Sequence, residues 1–184
     1  MKKINDSDLK YWNLIDDLLK QQRHDFLNEI QIIFGYIKLN KIDEAVEYIN
    51  KVRKEASIKS KISNISCMDL YFIIEKKLKQ CLSKGLNIDF EIYTNAEREN
   101  FKNKELSKSL TYMERALDVI FNYMNNNSQF EEYIIYIEET SDCFILKVAL
   151  EYLKDIESIK KELDSDITEI IIEEGYLIYE IELE

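Results

Sequence analysis

The chain is poor in the residues that most often carry cofactor chemistry: one histidine, three glycines and three cysteines among 184 residues. A single histidine excludes a multi-histidine metal centre and a histidine-rich active site. Gly35, Gly85 and Gly175 stand fifty and ninety residues apart, so no G-x-G-x-x-G or G-x-x-x-x-G-K phosphate loop can be written with them. Cys67, Cys81 and Cys143 are odd in number and form no C-x-x-C pair, which fits buried thiols in a reducing compartment. Basic side chains are outnumbered 25 to 36, a net charge of -11, and phosphate neutralisation needs the opposite balance, so nucleic acid is excluded as a partner. No run of about 18 apolar residues spans a membrane, and the start Met1-Lys2-Lys3-Ile4-Asn5-Asp6 is too polar for a signal peptide. The expected location is the bacterial cytoplasm. The richness in Ile, Asn, Lys and Tyr reflects an AT-rich genome.

What is present is 46% hydrophobic and 33% charged, the composition of a folded chain with room for one ordinary domain or two small ones. Residues 8 to 39 carry the longest helical pattern. Trp12, Ile15, Leu19, Phe26, Ile30, Ile33 and Ile37 recur at helical steps on one stripe, with Asp6, Ser7 and Asp8 as N-cap candidates. Asn40 suits a left-handed C-terminal turn. A second helix runs from Ile42 to about Ile58, with Ala45, Val46, Ile49, Val52 and Ala56 on its apolar face. A two-helix hairpin cannot bury so long a stripe alone, and a second copy completing a four-helix bundle is the simplest remedy.

Lys59 to Ser66 reads as a polar linker, which divides the chain into a hairpin at residues 1–60 and a second domain at 67–184. In the second domain Met68 to Ser83 is helical and closed at Lys84-Gly85, and Leu86 to Tyr93 alternates as a strand. A helix from Lys104 to about Met124 ends at Asn125-Asn126-Asn127. Strands at Tyr133 to Glu138 and Phe144 to Leu150 turn at Ser141-Asp142. A short helix at Asp155 to Leu163 precedes a hairpin, Ile167 to Ile172 and Tyr176 to Leu183, turning at Glu174-Gly175. The class is α+β, with helices on one face of a mixed sheet.

At about 100° per residue, His24 points roughly 160° away from the centre of the apolar stripe. Asn28, Gln31 and Gly35 fall on the same outward face. The one histidine thus sits mid-helix in a polar row that ends in a residue without a side chain, open to close approach by a large partner. A lone surface histidine is usually only solvated, and Asn28 and Gln31 have the same ordinary reading. Gly35 inside a helix costs about 1 kcal/mol relative to alanine, which asks for a reason without naming one.

The segment Arg23-His24-Asp25-Phe26-Leu27-Asn28-Glu29-Ile30-Gln31-Ile32-Ile33-Phe34-Gly35 resembles the phosphoacceptor helix of the sporulation initiation phosphotransferase B family. Every position of the family pattern R-H-D-aromatic-x-N-x-[LI]-Q-x-I-x-G is present, and Lys41-Ile42-Asp43-Glu44-Ala45 follows the turn as in that family. Related histidine motifs occur in citrate-type and peptide-pheromone sensor kinases. The resemblance implies a C-terminal α/β sandwich like a histidine-kinase ATPase domain without its nucleotide site. Glu114-Arg115-Ala116 stands where such kinases carry Asp-Asn-Ala, and Arg115 cannot supply the amide oxygen that ligates magnesium. No glycine lies between Gly85 and Gly175 to build the ATP lid.

The implied activity is phosphoryl transfer between receiver aspartates through His24, with sporulation initiation as the expected process. The expected catalytic residues are His24 and Asp25, the latter orienting or polarising the ring. Arg23, Lys20, Lys38, Asn28, Gln31 and Gly35 are the expected contacts to the phosphoryl group or the docked receiver. The protein is expected to be a homodimer that binds response-regulator receiver domains and neither ATP, nucleic acid nor membrane. No cofactor of its own is expected; Mg²⁺ arrives with the receiver. The alternatives are a kinase-derived core that still autophosphorylates, and a non-enzymatic dimeric adaptor for receivers. The charge of -11 sits against docking an acidic receiver, and Lys20, Arg23 and Lys38 offset it only locally.

Overall fold

The computed structural model describes residues 6–102, 104–126, 130–164 and 168–183, without the side chains of 6–15, 17, 18 and 21. The side chains of the expected caps Asp6, Ser7 and Asp8 and of Trp12 and Ile15, and residues Asn127 and Ile167, lie outside the described residues. The chain divides into two compact units, Met1–Ala56 and Ser57–Glu184.

The first unit holds α1 (Asp6–Lys38) and most of α2 (Ile42–Ile62). Asn40 takes a left-handed conformation, φ 56°. This lets the Lys41 amide donate to the Tyr36 carbonyl at 2.9 Å and the Asn40 amide to Ile37 at 3.0 Å, a Schellman closure. Ala45 is buried where the helices meet, and the Tyr36 and Tyr48 rings lie 6.3 Å apart across them. Leu19, Phe26, Ile30 and Ile37 of α1, with Ile42, Val46 and Ile49 of α2, remain exposed.

The helix α2 runs four residues past the expected end near Ile58, and residues 59–66 are not a solvated linker. Ile58, Ile62 and Ile65 continue the helical spacing and are buried in the core of the second unit. The Lys61 ammonium donates to Asp89 at 2.8 Å and to Glu91 at 2.7 Å, so the polar residues between those isoleucines also belong to that unit.

The second unit is α+β. It runs α3 (Met68–Ser83), β1 (Ile88–Thr94), α4 (Ser107–Asn126), β2 (Tyr133–Glu139), β3 (Cys143–Ala149), α5 (Ile156–Leu163), β4 (Thr168–Glu173) and β5 (Tyr176–Glu182). The strands lie in the order β1-β2-β3-β5-β4, with β1 and β2 parallel and the other pairs antiparallel. The parallel pair is reached by the α4 crossover, as parallel neighbours require. Alternate residues, Tyr133, Ile135 and Ile137 on β2, Phe144, Leu146 and Val148 on β3, Leu177, Tyr179 and Ile181 on β5, are buried in one core with Leu70, Ile74 and Leu78 of α3 and Met113, Leu117 and Ile120 of α4. Each such side chain contributes about 1.5–3 kcal/mol by leaving water. The other face of the sheet is half-buried and carries Glu91, Tyr136, Lys147 and Tyr176.

Element ends follow where backbone groups are already taken. Leu86 does not join β1, because its amide donates to the Cys81 carbonyl at 3.0 Å beside left-handed Gly85, φ 76°. Leu150 leaves β3 to donate to the Gly175 carbonyl at 2.9 Å and opens a short 3-10 turn, Leu150–Tyr152. The helix α4 starts at Ser107 instead of Lys104, preceded by buried Leu106, and continues through Asn125 and Asn126. The turn at Glu174 (φ 50°) and Gly175 (φ 85°) has both residues left-handed, the geometry a two-residue hairpin favours.

Glu139 is completely buried at the end of β2. Its carboxylate accepts from the amides of Ser66 and Cys67, each at 2.7 Å, and from the Thr94 hydroxyl at 2.8 Å. Cys67 is the N-cap of α3 and supplies no side-chain cap, so the carboxylate does that work from another element, where the helix dipole also favours it. Glu139→Ala leaves two amides and a hydroxyl without their acceptor and is expected to cost about 3 kcal/mol. Urea unfolding monitored by far-UV circular dichroism measures it, and a loss below about 1 kcal/mol would mean the orphaned groups find other acceptors.

Candidate functional site

His24 lies in the middle of α1, with its side chain 74% exposed. The i, i+4 relation stacks Asn28 one turn further along the same face, and the Asn28 side-chain amide reaches the imidazole Nδ1 at 3.1 Å. The Asp25 carboxylate is 3.8 Å from that nitrogen, outside hydrogen-bond distance and within range of a charge. Gln31 is exposed on the next turn of the row. At Gly35 an added Cβ would meet nothing within 4 Å, so the space there is open.

The basic residues divide. The Lys20 ammonium is 2.6 Å from the Asp16 carboxylate, and that ammonium lowers the Asp16 pKa below the ordinary range by hydrogen bonding and charge. The Lys38 ammonium sits 4.6 Å above the centre of the Phe34 ring, a cation–π contact. Arg23 is exposed, but by helix geometry it points about 60° from Phe26 and therefore toward the uncovered apolar side, not along the histidine row. The structure thus brings His24, Asn28 and Asp25 into one group and leaves Arg23, Lys20 and Lys38 around it.

Phe34 was not legible as part of the site. It is 55% exposed, and Leu27 beside it is 57% exposed. Both point about 80–100° from Phe26, between the apolar stripe and the histidine row. Angular position of every residue, and not only of those at ideal stripe spacing, is the signal that finds them. Next to His24 this makes an apolar shoulder on a polar row, the mixture that protein interfaces present.

In the second unit, Glu114 is engaged in ion pairs between α3 and α4. Its carboxylate lies 2.9 Å from the Lys76 ammonium and 3.2 Å from that of Lys77, which is only 3% exposed and also pairs with Asp118 at 2.7 Å. Arg115 faces solvent. Between the ends of α3 and α4, Gln80, Cys81, Lys84, Asp118 and Asn122 line a depression of about 20 Å³, room for a water molecule and far short of a nucleotide. Burial pushes the Cys81 thiol there up to about 12, which leaves it unreactive.

The hydrogen bonds from Lys76 and then Lys77 hold the Glu114 carboxyl below its ordinary value. A carboxyl depressed in the folded state stabilises it above the unfolded pKa, and that contribution is lost as pH falls through the folded value. Unfolding free energy is therefore expected to decline on acidification below about pH 4.5, and less steeply in Glu114→Gln. Urea titrations of both proteins across that range make the comparison; equal slopes would refute the assignment.

Residues 6–65 match the model of the sensor kinase SpoOB-type, alpha-helical domain. Over 68 residues the chain is 37% identical to sporulation initiation phosphotransferase B of Bacillus subtilis (strain 168), covering 37% of this chain and 35% of that one. Over 77 residues it is 32% identical to the sensor protein CitS of Halalkalibacterium halodurans, covering 41% of this chain and 14% of that one. The matches thus span about a third and about a seventh of these two relatives. Among solved structures, the Acinetobacter baumannii histidine kinase AdeS aligns over 87% of this chain and 96% of that chain, at 14% identity and a TM-score of 0.37.

Proposed function

We propose that the chain is a histidine phosphotransferase of a phosphorelay, with His24 as the group that carries the phosphoryl; the match of residues 6–65 to the sensor kinase SpoOB-type, alpha-helical domain supports this reading. The observation that carries this reading is the exposed imidazole of His24 on α1, with Asn28 against it, Asp25 beside it and open space over Gly35. Receiver domains with a phosphorylated aspartate are the proposed donor and acceptor, and initiation of sporulation is the proposed process.

The chemistry asks little of the acceptor. Phosphoryl transfer depends on in-line positioning and charge neutralisation, and a receiver brings its own phosphoaspartate and Mg²⁺. His24 has to present a ring nitrogen with a free lone pair to the phosphorus. The row Asn28, Gln31 and Gly35 lets the receiver approach the helix closely, and Leu27 and Phe34 give it an apolar edge to pack on. Lys20 and Lys38, at the edge of the row, meet the acidic pocket of the receiver, whereas Arg23 points toward the apolar side. Asp25 offsets the positive charge that the ring acquires once phosphorylated.

The exposed stripe from Leu19 to Ile37, with Ile42, Val46 and Ile49, supports a homodimer in which two hairpins form a four-helix bundle. Against an ATP-dependent kinase stand the ion pairs that occupy Glu114 and the arginine at 115. No described helix is long and apolar enough to cross a membrane. The cytoplasm is the proposed location because the proposed phosphorelay partners are receiver domains.

Incubation with each phosphorylated receiver of the organism tests the reading. Label is expected on the wild-type chain and to be absent from His24→Ala. Radiolabelled ATP alone is expected to give none, and label from ATP alone would establish a kinase instead. Sedimentation is expected to return a dimer; a stable monomer would remove the bundle.

A further inference from the structure

The hydrogen-bond partner of the His24 ring is an amide, and an amide has two faces. The structure places Asn28 Nδ2 against Nδ1 at 3.1 Å; in that orientation the ring nitrogen accepts and the neutral imidazole must carry its proton on Nε2. When the amide turns over and presents Oδ1, Nδ1–H donates and the Nε2 lone pair is free. The two orientations therefore select opposite tautomers of the same ring. Asp25 decides between them. Its carboxylate stands 3.8 Å from Nδ1, and a negative charge there favours a proton on Nδ1 over a lone pair. Among the described residues no carboxylate is recorded against Nε2, and the side chain as a whole is 74% exposed.

We propose that Asn28 is the positioning residue that sets the tautomer of His24: its Oδ1 accepts from Nδ1–H and so keeps the Nε2 lone pair available. This rests on His24 being the phosphoacceptor. In the transfer step the Nε2 lone pair forms the N–P bond while the P–O bond of the aspartyl phosphate breaks, and that electron pair leaves on the receiver carboxylate. The Nδ1 proton stays where it is, held by Asn28, and the ring becomes a phosphorylated imidazolium faced by Asp25. No proton has to move during the step. Asp25 is too far to hold the proton itself, so its part is electrostatic and the directional bond belongs to Asn28.

The test reads the tautomer directly, in the full chain without any receiver. Nitrogen-15 shifts of the single histidine, from two-bond correlation spectra at mildly alkaline pH where the ring is neutral, identify which nitrogen carries the proton. The unconstrained histidine side chain favours Nε2–H, so a dominant Nδ1–H form in the wild type is a specific expectation. Asn28→Ala is expected to revert to Nε2–H, and Asn28→Asp, whose carboxylate can accept from Nδ1–H, to keep the Nδ1–H form. Phosphoryl acceptance should follow the competent fraction, falling about tenfold in Asn28→Ala and recovering in Asn28→Asp. Both substitutions sit on an exposed helix face, and far-UV circular dichroism verifies that the helices persist. A dominant Nε2–H form in the wild type, the same tautomer ratio in Asn28→Ala, or loss of the Nδ1–H form in Asn28→Asp overturns the inference. Failure of the phosphotransfer reading has a different signature, the absence of label on His24 while the tautomer result stands.

Discussion

The second unit hangs on one buried carboxylate. Glu139 has no exposed surface and three donors, the amides of Ser66 and Cys67 and the hydroxyl of Thr94. Those donors come from the turn after α2, the start of α3 and the end of β1, so one side chain at the end of β2 joins three elements. The first turn of α3 has no side-chain cap of its own, and a buried carboxyl group without hydrogen-bond partners would be untenable. Each side of the arrangement therefore requires the other, and the start of α3 is tied by it to the ends of β1 and β2. A second joint, Lys77 with Glu114 and Asp118, ties α3 to α4 by the same principle of charges satisfied by charges.

The hairpin unit works in the reverse sense. Its two helices meet over a small contact around Ala45, Tyr36 and Tyr48 and leave a row of large apolar side chains in water, an arrangement that asks for a further surface. On the same helix, the face about 160° from that row is polar and carries His24. One helix thus offers two separate surfaces, and Leu27 and Phe34 lie on the seam between them. That division allows a helix to be held in an assembly by one side and read by a partner on the other.

Much of the architecture was legible because local chemistry dictated it. Asn40 and Gly85 are left-handed where the helical patterns end, and Glu174-Gly175 turns the last hairpin. The alternation at Tyr133 to Glu139 and Tyr176 to Glu182 is the burial alternation of β2 and β5. The errors have two causes. Lys59 to Ser66 looks like a linker by composition, yet Ile58, Ile62 and Ile65 are buried at helical spacing; composition averages over faces, and burial does not. Leu86 and Leu150 look like strand residues by side chain, but their amides were already committed to Cys81 and Gly175.

The sequence by itself determined the helix that bears His24, the face on which the imidazole stands and its company of Asp25, Asn28, Gln31 and Gly35, because helical periodicity converts spacing into direction without reference to anything else in the chain. Only the tertiary structure decided which contacts are made across elements. That Glu139 is an internal cap and not a surface acid, that Glu114 is spent on Lys76 and Lys77, and that an amide instead of a carboxylate touches the histidine ring all depend on distances of a few tenths of an ångström. Hydrogen bonds and desolvation are decided at that scale, and no spacing rule resolves it.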